Sequence, residues 1–389
     1  MMRVLVLTSS TGGGHDTRAR AFAAWARRET DVGLEVVIHQ ALEETHGLYR
    51  FGVGLYNWIQ RKVPRLHHLY FNFLEAGGLL KSPARLLGAE RFRAVVRAHR
   101  PGAVLSVHGS LNHGFFAVAR DTLPDAPPRC ATYCGELFGG YGFSRHWVNP
   151  RADLFVGAVE ECATEARRLG MAADRTCVGG FLLDPSFYAA PLTEPERRAI
   201  LREKFALDPD RFTLLLTTGA VGANNHLALL EALARSPLRP QVIAVCGRAP
   251  QVRQAVTEWS AAHAGLPVRP IEFTDRMAEL LRCVSAVVAR PGTGTTSEAI
   301  LSGCPVIFNG LGGVMPQEMI TVKFATAHGF SRRLRRASDL PEVLKPLMAD
   351  RNNLLALREK ISAARPAGSP RGILELVAGG SGRKDSDRA

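Results

Sequence analysis

The residues best placed to do chemistry stand at the ends of strand-like runs. The first such run passes into Ser9-Ser10-Thr11-Gly12-Gly13-Gly14-His15, and a helical pattern from about Asp16 to Arg28 follows it. Gly13 and Gly14 let a ligand come close to the backbone, the helix directs its N-terminal dipole there, and His15 supplies an imidazole that ordinarily titrates near neutral pH. A plain turn with a helix-initiating histidine accounts for the same letters without any chemistry. The device recurs between Thr217 and His226, with Gly219 and Gly222, and again from Arg290 to Phe308, with Gly292, Thr293, Gly294, Thr295 and Glu298. None of the three carries the G-K-[ST] of an ATP-hydrolysing phosphate loop. The first is not a dinucleotide fingerprint either, because position 17 is threonine and no acid ends the Leu34 to Gln40 run. Glu298 has two readings: a carboxylate in a helix's first turn favoured by the macrodipole, or a partner for a ribose diol.

These loops need strands and helices to hold them. Apolar, β-branched runs at Arg3 to Thr8, Leu34 to Gln40, Ala103 to His108, Cys130 to Cys134, Leu154 to Ala158 and near Cys177 alternate with helical patterns. A second series runs through Phe212 to Gly219, Gln241 to Gly247, Val268 to Phe273, Ala286 to Arg290 and Pro305 to Asn309. Such alternation is the signature of an α/β fold with parallel sheets. The expectation is two Rossmann-like doubly wound domains facing a central cleft, residues 1–185 and 186–370, joined through the proline-rich stretch Asp184 to Glu196. A glycine-rich, charged tail over 371–389 is expected to be disordered.

Bulk properties narrow the partners. The chain has 389 residues, 46% of them hydrophobic, enough for two cores. No run is long and apolar enough to cross a bilayer, the start is a strand and not a leader, and the seven cysteines form no C-x-x-C pair, so a cytoplasmic protein with reduced thiols and no metal site is expected. The formal charge of +13 asks for an anionic partner: nucleic acid, a membrane surface or a substrate. Residues 50 to 100 hold ten Lys and Arg against only Glu75 and Glu90. There, Gly47 to Lys81 interleaves aromatic and basic side chains as an interfacial membrane segment does, though two packed helices with solvated basic faces read the same way. Arg332, Arg333, Arg335 and Arg336 add a second basic patch. No nucleic-acid-binding motif is present, so nucleic acid is the weakest of these partners.

The stretch from Glu272 to Phe308 resembles the nucleotide-sugar half of the monogalactosyldiacylglycerol synthase and processive diacylglycerol glucosyltransferase family, inverting GT-B enzymes related to the N-acetylglucosaminyltransferase of the peptidoglycan lipid intermediate. Arg290, Gly292, Thr295, Glu298, Ala299, Gly303 and Pro305 fall on its K/R-x-G-x-x-T-x-x-E-A and G-x-P-V-I patterns. Ser10 to Trp25 resembles its glycine-histidine motif, Pro101 to Gly114 its S-V-H segment and Val178 to Phe187 the stretch closing its first domain, and the likeness runs over residues 3 to 335. A family T-D-L reads Gly135-Glu136-Leu137 with an added FGGYG, and a family G-Q-E-x-x-N reads Pro316 to Thr321 without the asparagine.

The resemblance implies transfer of a hexose from a UDP-sugar to a lipid hydroxyl at the cytoplasmic face of an anionic membrane, with no obligatory cofactor. His15 becomes the base, titrating near the working pH, with Glu136 and His113 in reserve. The amides of Gly219 to Gly222 and Gly292 to Thr295, with Arg290, meet the diphosphate. The backbone at Thr274 meets the uracil, Glu298 the ribose, and Gln317 and Glu318 the sugar hydroxyls. Polyprenyl-phosphate-linked lipids and secondary metabolites remain alternative acceptors.

Overall fold

The computed structural model describes residues 1–62, 67–76, 86–217 and 225–380. Gly219 and Gly222 lie outside the described residues, as do 63–66 and 77–81 of the aromatic and basic segment and 381–389 of the tail.

Two six-stranded parallel sheets form the frame. The first joins β1 (Met2–Thr8), β2 (Leu34–Gln40), β3 (Ala103–Ser106), β4 (Arg129–Cys134), β5 (Leu154–Gly157) and β6 (Thr176–Val178) in the order β2-β1-β3-β4-β5-β6. The second joins β7 (Thr213–Thr217), β8 (Gln241–Val245), β9 (Val268–Ile271), β10 (Ala286–Ala289), β11 (Val306–Asn309) and β12 (Arg333–Leu334) in the order β12-β11-β10-β7-β8-β9. Val4 to Leu7 and Leu214 to Leu216 are fully buried, as central strands covered by helices on both faces must be. Strand order reverses between β1 and β3 and between β7 and β10, and in doubly wound sheets ligands bind beyond the carboxyl ends of strands at such reversals.

The chain divides into two compact units, Met1–Pro185 with Pro366–Ala389, and Ser186–Arg365. This corrects the C-terminal expectation. The helix Pro370–Ala378 belongs to the first unit, and Ile373, Leu374 and Val377 are fully buried there. Ser369 accepts from Gly372 N as N-cap, Pro370 opens the helix, and the apolar positions share one face. A Cβ on Gly179 would sit 2.8 Å from Ile373 Cγ1, so the helix packs directly on the backbone after β6. Nor is the stretch from Asp184 to Glu196 plain linker. A 3-10 turn covers Pro185–Tyr188, and a capping box of Thr193 and Glu196 starts the helix Glu194–Ala199. β12 escapes the sequence reading because only Leu334 of its two residues is buried and arginines surround it.

Candidate active site

In the first unit, the carboxyl ends of β1, β3 and β4 meet at the sheet reversal. The glycine loop after β1 takes a left-handed turn at Gly12 (φ 69°) and Gly13 (φ 80°), conformations that disfavour any side chain. The helix Gly14–Arg28 then begins two residues earlier than its periodicity suggested, with no side chain capping it. Its own Asp16 secures the loop from one side, accepting from Thr8 Oγ1 at 2.9 Å and Ser10 Oγ at 2.6 Å. Glu43 holds it from another, accepting from Ser9 Oγ at 3.0 Å and Ser10 N at 2.7 Å. Asn57 closes the third side, donating to Ser10 O and accepting from Gly12 N, both at 3.0 Å.

His15 Nδ1 lies 2.8 Å from Val107 O, which only accepts, so Nδ1 carries the proton and Nε2 the lone pair. No described residue bonds Nε2. Its ring is 4.4 Å from that of His108 and 5.8 Å from that of Trp147. His108 accepts from Ser110 N through Nδ1 at 3.1 Å, leaving Nε2–H to donate to Thr11 Oγ1 at 2.9 Å. Arg18, one turn beyond His15, reaches Gly135 O with Nη2 at 3.1 Å, beside Glu136 at the end of β4. Burial, then the neighbouring His108 and Arg18, hold His15 well below the usual imidazole range. The expectation of a base titrating near neutrality is thereby corrected: at pH 7 His15 is neutral. His108 is pushed down to about 4 by burial. Glu136 is pushed up to about 7 by burial, with Arg18 opposing, and its Oε2 is buried with no hydrogen-bond partner among the described residues. His15 and Glu136 therefore share the field of Arg18, while His113 stands at the N-cap of the helix Gly114–Thr122.

In the second unit, β10 leads through Arg290 and Pro291 into the helix Thr293–Ser302, whose N-cap is Gly292 and which no side chain caps. A Cβ at Gly14, Gly292 or Gly294 would meet no atom within 4 Å, and none of the three has a positive φ. No described atom requires glycine there, and the space beside the first N–H groups of both helices stands open among the described residues. Glu298 lies in this helix's second turn, not its first, and no described residue hydrogen-bonds its carboxylate. Burial pushes it up to about 7, the opposite of what a macrodipole-stabilised carboxylate shows. Thr274, in the loop after β9, accepts from Arg276 N with its hydroxyl at 3.0 Å.

Two assigned residues have other work. Arg290 and Glu318 form a bidentate pair, with Nε–Oε1 at 3.0 Å, and the guanidinium also donates to Leu311 O and Gly313 O at 3.0 and 2.8 Å. Glu318 Oε2 accepts from Met315 N at 2.9 Å, opening the helix Pro316–Ala327 next to Gln317. The pair thus fixes the loop between β11 and that helix. His108, Arg18, Trp147 and Asn57 were not among the expected site residues. His108 could have been found by asking which residues follow the strand beside β1.

Residues 213–363 match the glycosyltransferase family 28 C-terminal domain. The processive diacylglycerol beta-glucosyltransferase of Bacillus subtilis is 25% identical over 396 residues, spanning 96% of this chain and 94% of its own. The probable monogalactosyldiacylglycerol synthase 2 of Oryza sativa subsp. japonica is 25% identical over 355 residues, 86% of this chain and 72% of that one. Among solved structures, Acinetobacter baumannii MurG aligns with a TM-score of 0.64 and 16% identity over 97% of this chain and 99% of its own. Anabaena Alr3699/HepE in complex with UDP aligns at 0.58 and 16% with the same coverage. The chain thus carries, over residues 213–363, a match to the glycosyltransferase family 28 C-terminal domain, has the GT-B fold, and resembles diacylglycerol glucosyltransferases and monogalactosyldiacylglycerol synthases along most of its length.

Proposed function

We propose that the protein transfers a hexose from a UDP-sugar to a hydroxyl of a diacylglycerol-like lipid, with inversion, working peripherally at the cytoplasmic face of the membrane. The observation that carries this reading is His15: its Nδ1 proton is fixed on Val107 O, so Nε2 is a neutral base beside a glycine lip that leaves room for substrate. Nε2 takes the acceptor proton, the acceptor oxygen attacks the anomeric carbon, and the bond from that carbon to the diphosphate oxygen breaks as UDP leaves. One displacement inverts the centre. The amides at Gly292 to Thr295 receive the leaving charge, and Glu298 accepts from the ribose diol. Relatives that glycosylate diacylglycerol and a neighbour in complex with UDP support both substrate classes.

Surface action is supported by the helix Gly47–Lys62, which leaves Leu48, Phe51, Leu55 and Trp58 exposed in one row while Val53 is buried. No described helix is long and apolar enough to cross a membrane. Arg332, Arg333, Arg335 and Arg336 are exposed on the second unit and suit anionic headgroups. The test is incubation with labelled UDP-sugars and diacylglycerol or polyprenyl-phosphate-linked lipid, the product's anomeric configuration read by NMR. A diacylglycerol product of inverted configuration, unaffected by EDTA, is expected; an acceptor of the other class or retained configuration would replace this reading.

A further inference from the structure

The chain enters its second unit at Ser186 and leaves it at Arg365. Residues at both points line one pocket of about 230 Å³, whose walls, Phe187, Tyr188, Pro191, Arg282, Ser302 and Arg365 among them, all belong to that unit. Arg282, on the helix Met277–Cys283, donates from Nη2 to Ser186 O, Phe187 O and Ala189 O at 3.0, 2.9 and 3.0 Å and so holds the entering chain. Its Nε and Nη1 have no hydrogen-bond partner among the described residues, no described carboxylate pairs with it, and burial disfavours its charge. Arg365 has no described carboxylate either, and its guanidinium lies 5.9 Å from the centre of the Tyr188 ring. Ser302, the last residue of the helix Thr293–Ser302, adds an Oγ that is buried with no hydrogen-bond partner among the described residues. Gly303 N and Cys304 N donate to Ile300 O and Ala299 O at that helix end, so these carbonyls do not oppose an anion there. A part-buried guanidinium without counter-charge and a buried hydroxyl without a partner each cost free energy, and an anion that accepts from both removes the cost.

We propose that this pocket binds a small phosphomonoester, its phosphate held by Arg282, Arg365 and Ser302 Oγ and its organic body set against Phe187 and Pro191, so that one ligand ties together the entering and the leaving chain. A phosphomonoester carries a charge of about −1.5 to −2 and three acceptor oxygens, which suits two guanidinium groups and a hydroxyl. A carboxylate offsets only one guanidinium. The pocket is smaller than the roughly 300 to 1,000 Å³ of sites that take drug-sized ligands, so the organic body is small. It lies at the opposite end of the helix Thr293–Ser302 from Gly292, roughly 15 Å along the axis, and is therefore distinct from the amides proposed for the leaving diphosphate.

The experiment titrates phenyl phosphate into the full chain by calorimetry at pH 8, with benzoate and inorganic phosphate as separate probes, each repeated in saturating UDP. Phenyl phosphate should bind at a single site whether or not UDP is present. Benzoate, which keeps the ring but carries one charge, should bind about tenfold more weakly or worse, and inorganic phosphate severalfold more weakly. R365A, which removes an exposed side chain, should weaken phenyl phosphate about tenfold or more, and S302A severalfold. Hydrogen exchange at residues 186–191 should slow when phenyl phosphate is added to wild type and stay unchanged in R365A. Binding to R365A as tight as to wild type overturns the site, as does displacement by UDP, which would put the phosphate at the donor loops and leave the proposed function untouched. Benzoate or inorganic phosphate binding as tightly as phenyl phosphate overturns the assignment to a phosphomonoester, and a wild-type chain that binds none of the three at millimolar concentration overturns the proposal whole.

Discussion

His15 donates from Nδ1 to a carbonyl oxygen, and burial with His108 and Arg18 nearby disfavours a second proton, which favours the lone pair on Nε2. H15A should remove roughly 10² to 10⁴ in kcat, the range for a lost general base, while UDP binding by calorimetry stays as in wild type. Retention of more than about a third of the turnover would dismiss His15 as the base. On the proposed function, the acid limb of donor kcat/KM belongs instead to Glu298. Burial raises it to about 7, so as pH falls through 7 it protonates and loses an acceptor for the ribose; E298Q should weaken donor binding severalfold and flatten that limb. The same shift fixes a stability trend. The folded state holds this proton and the unfolded state releases it between the ordinary carboxylate value and 7, so stability declines as pH rises through that window. E298Q should therefore melt at least ~2 °C above wild type at pH 8 and at the same temperature near pH 4, measured by circular dichroism.

Two helices, Gly14–Arg28 and Thr293–Ser302, begin at glycines without side-chain caps, and the reason differs from one glycine to the next. Gly13 sits at φ 80°, where a Cβ is strained, so G13A should cost about 1 kcal/mol or more of stability. Gly14 and Gly294 have no such need, and alanine should leave stability unchanged or raise it by about 0.4 to 1 kcal/mol while lowering kcat/KM. Equal activity in G14A and G294A would mean that the space beside both helix starts is not used. Such glycines were legible in the sequence as motifs, and so was the alternation of strand and helix that builds both sheets. His108 was legible only as the histidine of the S-V-H segment; its place against His15 was not, because that depends on the strand order that sets β3 beside β1. The Arg290 and Glu318 pairing was hidden likewise: each charge invited a ligand role, and only tertiary placement joins residues 28 apart in the chain. β12 offered two residues among four arginines, too short for any periodicity to register.

At the scale of the whole molecule, the chain leaves its first unit at Pro185 and returns to it at Pro366, so the first unit is completed only by the last helix. That return is held by apolar burial and by ions, and the two contribute unequally. Ile373 and Leu374 are fully buried, and truncating either to alanine leaves a cavity worth about 2 to 5 kcal/mol. Arg371 meets Glu29, Asp31 and Glu375, but 44% of its side chain is exposed and solvent screens the three pairs. R371A should therefore leave the urea unfolding midpoint nearly where it is in wild type, whereas L374A should lower it clearly. Because the helix belongs to the first unit, the loss in L374A should appear as early unfolding of that unit, while UDP titrated into the variant at 20 °C binds with unchanged affinity in the second. Parallel loss of UDP affinity at a temperature where L374A is still folded would mean that nucleotide binding depends on the first unit's core, contrary to the proposed placing of the diphosphate at Gly292 to Thr295.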